Sequence, residues 1–238
     1  MKKQVNRILV VIVLLALLLG IAARWKLCHV VPQPGWITSN QRDSYFYGSV
    51  GDGRATGLPY WMWLAMPRLF PEHMPGPGGY AALGMSWEEG REMPVGFAKQ
   101  RVGSIRVTGN CALCHAMSRA NGKDEAPAIL TVAKGQTTDI QPLLKFYRDC
   151  ALDPRFNADE FFSEINDDTK LSLVDSLLYR YLYIPRIRKA LIDDPSAVLF
   201  SPEIRAHARN PKSDAAFSNQ RTKALAEWMK QQSQSSTP

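Results

Sequence analysis

Cysteine and histidine are scarce in this chain, four of each in 238 residues. Cys28 and Cys150 stand alone, so no second pair of ligands at short spacing is present to build a structural zinc site. Acidic residues are missing from the first 42 positions, where Lys2, Lys3, Arg7, Arg24 and Lys26 all fall. Those five account for most of the net charge of +7 and leave 24 basic against 22 acidic residues in the remainder. A body so near neutral lacks the basic stripe that nucleic-acid binding needs. It leaves room for a local charged patch that docks a redox partner protein. Small residues are absent before Cys28, in Trp25-Lys26-Leu27-Cys28, which argues against a lipoprotein signal. Segments that alternate apolar and polar residues are few, so the expected fold is mainly α. No internal repeat is evident, which argues for one site rather than several.

Against this background, Cys111-Ala112-Leu113-Cys114-His115 stands out. Two thiols and an imidazole in the order C-x-x-C-H are what covalent attachment of a c-type haem requires. Each thiol adds to one porphyrin vinyl group, and a two-residue spacer on a helical turn sets the sulfur separation. The adjacent His115 then supplies the proximal axial nitrogen to the iron. A redox dithiol would instead sit in a strand-loop-helix context, which the flanking sequence does not announce. Asn110 is a good N-cap, so a helix is expected to begin near Cys111.

The N-terminus reads as a basic start followed by an apolar run from Ile8 to Ala23. It is either a secretory signal cleaved after Ala22-Ala23 or a retained single-span anchor. Arg24 and Lys26 suit a membrane edge, where long basic side chains snorkel, and favour the anchor. Ile21 fits poorly to a small-residue cleavage site. Lys2, Lys3 and Arg7 hold the N-terminus in the cytoplasm. The expected location is therefore the cell inner membrane, single-pass, with residues 27 onward on the periplasmic side, or the periplasm itself after cleavage. In an oxidising compartment Cys28 and Cys150 become candidates for a disulfide, although many lone cysteines are simply buried.

Three regions follow: the signal or anchor segment 1–26, an α-helical body 27–230 and a disordered polar tail 231–238. Pro32 to Gly57 is rich in turn formers and reads as irregular chain. Tyr60 to Phe70 is apolar and aromatic, with Pro59 before it as a helix start, and reads as core or as a wall against a cofactor. Pro71 to Gly79 holds three Pro and three Gly and excludes long regular structure. Glu88, Glu89, Arg91 and Glu92 read as a solvated turn. Ile140, Leu143, Leu144, Tyr147 and Ala151 share a helical face, with Thr138 or Asp139 as cap. Val174, Leu177, Leu178, Tyr181 and Ile184 share another, running into Pro185, which ends or kinks it. Ala215 to Met229 reads as a final helix.

The motif resembles that of the c-type cytochromes. In such a family Cys111 and Cys114 make the thioether links to one covalent haem c, and His115 is the proximal ligand. The stretch from Pro59 through Gly79 and Phe97 to Ala116 is also similar, more loosely, to the leading part of larger exported cytochromes near the dihaem peroxidase and rubber oxygenase group. This chain carries a single C-x-x-C-H, unlike those. It also lacks the Met that small single-haem cytochromes place some tens of residues after the motif. Met117 is too near His115 to reach the opposite haem face, and the only later methionine is Met229. The candidates for the distal ligand are His207, His73 and Met74, with Met85 and Met93 weaker. A strong sixth ligand implies a membrane-tethered electron carrier. An open iron implies a haem enzyme of peroxidase or oxygenase type, with Glu88, Glu89, Glu92 or Arg91 as distal acid or base.

Overall fold

The computed structural model describes residues 27–51, 56–119, 128–131, 138–165, 169 and 171–208, with scattered positions from 11 to 24. The expectation of a mainly α fold is corrected in one respect. Helices predominate, but a four-stranded antiparallel sheet lies among them, in the order β1-β3-β4-β2. Its strands are β1 (Val30–Val31), β2 (Leu58–Pro59), β3 (Phe97–Val102) and β4 (Ser104–Gly109). The central hairpin turns on Gly103 alone, with Val102 opposite Ser104. Gly103 takes a φ of +67°, a backbone conformation open chiefly to glycine. A second hairpin joins β5 (Ala116–Arg119) to β6 (Ala128–Thr131).

Between the strands, α1 (Gly35–Thr38) and α2 (Gln41–Tyr47) precede β2, and α3 (Tyr60–Leu69) follows it. The motif falls on α4 (Ala112–His115). The second half of the chain supplies α5 (Ile140–Leu152), α6 (Ala158–Ile165), α7 (Leu173–Leu178), a π turn (Tyr179–Tyr183), α8 (Ile184–Asp193), α9 (Pro195–Leu199) and α10 (Pro202–Ala208). Buried apolar side chains from Ile37 to Phe200 form one continuous core.

The aromatic stretch Tyr60 to Phe70 is core. In α3, Met62, Trp63, Ala65 and Met66 are buried, and Trp63 stacks on Tyr80 with centroids 4.4 Å apart. Phe70, Phe156 and Phe161 cluster at the end of the helix. Pro67 lies inside α3 and brings no N–H for the carbonyl four residues earlier. That carbonyl belongs to Trp63, and the buried Tyr80 hydroxyl donates to it at 2.8 Å. In α5 the face Leu143, Phe146, Tyr147, Cys150 and Ala151 is buried, one position round from the face read off the sequence. The helical pattern before Pro185 widens into a π turn, and the chain continues as α8. Pro185 cannot donate to the Tyr181 carbonyl, and a wider turn accommodates the loss.

Among the described residues no helix is long and apolar enough to cross a membrane. The predicted anchor 1–26 lies largely outside them, and the predicted helix 215–229 and tail 231–238 lie wholly outside.

Candidate functional site

The polypeptide leaves the central hairpin at Gly109, passes through Asn110 and makes a single helical turn. Asn110 is buried and its side chain makes three bonds. Nδ2 donates to the Phe46 carbonyl at 3.1 Å and to the Gly48 carbonyl at 3.0 Å. Oδ1 accepts from the Ala112 N–H at 2.9 Å, the capping role expected of it. The turn closes by Leu113 N–H donating to the Asn110 carbonyl and Cys114 N–H to the Cys111 carbonyl, both at 3.2 Å.

Gly96 presses on the same turn. Its φ is +92°, and a Cβ there would stand 2.4 Å from the Leu113 Cα. Only a residue without a side chain permits that approach. Gly109 is held likewise between Phe200 and Leu113, and it bridges to Phe200 through the backbone.

These supports orient the motif. Ala112 and Leu113 are turned into the core, while Cys111, Cys114 and His115 remain half-buried. The three side chains are thus kept together on one turn; Cys114 packs against the core, and none of the three is fully buried. Burial pushes the Cys114 thiol up to about 11, with Cys111 beside it adding to the effect. An activated dithiol needs the opposite shift. The strand-turn-helix context that the sequence did not announce is present in outline, but the helix is one turn long and runs straight into β5. The donor set therefore fits thioether attachment of a haem, with His115 as axial nitrogen, better than dithiol redox chemistry.

The other candidates fall elsewhere. His73 ends a short 3-10 turn, Pro71–His73. Its Nε2 lies 3.5 Å from the Asp153 carboxylate and its ring stacks near Phe70. His73 and Met74 line a cavity of about 450 Å³ with Gln141, Pro142, Lys145 and Phe146. Glu72, His73 and Asp153 bring ligand-type atoms within 4.8 Å of one another. Arg155 already bonds both carboxylates of that group and donates to the Leu69 carbonyl at 3.0 Å. Hydrogen bonds from Arg155 hold the Asp153 carboxyl far below its usual range. Met85 and Met93 are core residues, and Met117 is paired in register with Leu130 in the β5–β6 hairpin. His207 lies on α10; its side chain is outside the described residues, as is Met229.

Cys150 is fully buried on α5 and Cys28 is exposed, and no disulfide joins any of the four cysteines.

The acidic segment 88–92 is the turn its composition suggests, with Glu89, Gly90 and Glu92 exposed, but ion pairs also tie it to the body. Glu88 pairs with Arg42 and accepts from the Tyr47 hydroxyl at 2.7 Å. Arg91 reaches the buried Asp43 at 3.2 Å and lies over Trp36. Glu92 pairs with Lys99. Burial opposes ionisation of Glu88, but the bonds from Arg42 and Tyr47 win and hold its carboxyl below the usual range. Sequence reasoning missed this cluster because its members sit on α2 and on a loop 46 residues away.

Comparison with known proteins gives no match: no family model, no curated protein and no solved structure is similar to this chain. The likeness to c-type cytochromes rests on the motif residues.

Proposed function

We propose that this chain is a membrane-tethered c-type cytochrome that carries electrons through one covalently held haem c. The carrying observation is the division of a single helical turn: Ala112 and Leu113 buried, Cys111, Cys114 and His115 half-buried beside one another. Cys111 and Cys114 would hold the group by thioethers and His115 by its axial nitrogen. When bound, a haem supplies the one-electron iron couple. The chain itself contributes a rigid seat, because Asn110 and Gly96 tie the turn to α2 and β3.

The carrier reading is also supported by the state of the acids that an enzyme would need. Glu88 is held ionised by Arg42 and Tyr47, and Glu92 by Lys99, so neither is poised to give up a proton near neutral pH. For the distal ligand, His207 is favoured by the path of the backbone. Phe200 bridges to Gly109, two residues before Cys111, and α10 starts two residues after Phe200. His73, in contrast, lies on the Pro71–His73 turn, with its Nε2 3.5 Å from the Asp153 carboxylate. The N-terminal run 8–23 serves as the tether, and redox proteins are the partners.

Protein matured in a host that attaches haem c should be coloured and keep its pigment through acidified acetone. Cys111→Ala with Cys114→Ala should lose it. Colourless wild-type protein, or pigment extracted by the solvent, would refute the proposal.

A further inference from the structure

We propose that the outer face of α7 and the π turn rests on an anionic bilayer surface and sets the orientation of the tethered body. Leu173, Val174, Leu177 and Tyr181 are 77, 48, 49 and 73% exposed. They recur at spacings of one, four and eight residues, so they line one side of a continuous helical element. Scattered exposed apolar residues are ordinary, but a contiguous stripe marks a contact surface. The opposite side is fully used: Tyr179, Tyr183 and Ile184 are buried in the core. The π turn makes this division sharp by putting Tyr179 and Tyr183 inward and Tyr181 outward.

The occupant is indicated by charge and by reach. Along α8 the exposed residues are Pro185, Arg186, Lys189 and Asp193. Lys189 pairs with Asp193 at 2.5 Å, and Asp175 is tied to Ser172 at 2.7 Å. Arg180 lies alongside and pairs with Asp159. An apolar stripe with a tyrosine at its margin and the exposed Arg186 beyond it can settle at the boundary of acyl chains and anionic headgroups.

Reach follows from the tether, and this inference rests on the reading of residues 8–23 as a membrane segment. The apolar run ends at Ala23 and β1 begins at Val30. Seven residue steps span at most about 25 Å, so the sheet is held close to the bilayer. The π turn packs on that same sheet, with Arg106 of β4 over the Tyr183 ring at 5.9 Å. Two strand spacings, roughly 10 Å, separate β4 from β1.

The test uses the full chain in vesicles of phosphatidylcholine with or without phosphatidylglycerol, and reads Tyr181→Trp and, separately, Leu177→Trp. Both positions are exposed, so either indole can be added without disturbing the core. The added emission, taken above the wild-type background, should shift to the blue. It should lose most of its intensity when the acyl chains are brominated, and more so with phosphatidylglycerol present. Protein that floats with the vesicles but whose added indoles stay unquenched would overturn the surface and leave the tether standing. Protein that does not float would overturn both. Unquenched indoles with cross-linking between copies through 173–181 would assign the stripe to a second chain and overturn the proposal.

Discussion

Asn110 makes all its side-chain bonds to backbone, and two of its partners are more than 60 residues away in sequence. Asn110→Ala strands the Gly48 carbonyl without that donor and uncaps the motif turn. A loss of about 2–4 kcal/mol is expected, from an unsatisfied buried carbonyl plus a lost cap, measured by urea denaturation. Covalent haem yield should fall with it. Gly96→Ala should be as severe or worse, because its Cβ meets backbone rather than a flexible side chain. That Asn110 caps a turn was legible in the sequence; that it also clamps α2 was not, because nothing local marks a bond across 62 or 64 residues. Glu88 has a different signature. Its folded-state carboxyl ionises below the unfolded one, so its contribution is full above the unfolded value of about 4.3 and fades as pH falls through the lower folded value. Glu88→Gln should flatten the acid limb of a stability-against-pH curve. A limb unchanged in steepness would show that the Arg42 and Tyr47 bonds do not act through this carboxylate.

Elements here are shaped by prolines as much as by apolar periodicity. In α3 the defect made by Pro67 is repaired from outside by the Tyr80 hydroxyl. Tyr80→Phe leaves the ring stack on Trp63 in place and removes that donor, together with the hydroxyl's interaction with Tyr147. It should cost about 1–3 kcal/mol, the penalty for a buried carbonyl left unpaired, read as a lower urea midpoint with unchanged slope. In the second half, Pro185 neither ends nor simply kinks the helix; the π turn absorbs it. The helices were visible because apolar residues recur at their spacing over two or more turns. The central hairpin was not, although Ile105-Arg106-Val107-Thr108 alternates beside Gly103. Four residues of alternation are too short to outweigh a chain otherwise helical in pattern, and pairing with β1 and β2 is what makes the sheet.

For the whole molecule, two outcomes are expected if the proposed tethered, single-haem cytochrome is right. Full-length protein should stay with membranes through alkaline carbonate, and removal of residues 1–26 should release it. Its ferric spectrum should be six-coordinate and low-spin. His207→Ala should convert it to high spin, and His73→Ala, on the Pro71–His73 turn beside Asp153, should leave it unchanged. The reverse result would move the distal ligand to the Pro/Gly loop.

What the amino-acid order determined unaided was chemistry that lies within a few residues: the C-x-x-C-H donors, the basic start with its apolar run, and the longer helices. Each depends on spacing along the chain, which sequence states directly. Tertiary structure alone decided which of those side chains stay accessible, that Gly96 and Asn110 seat the motif turn, and that Glu88 and Asp43 are drawn into ion pairs. It also decided that His73 belongs to a carboxylate group with Arg155. These outcomes depend on atoms distant in sequence meeting at contact distance, and packing, not local propensity, selects such meetings.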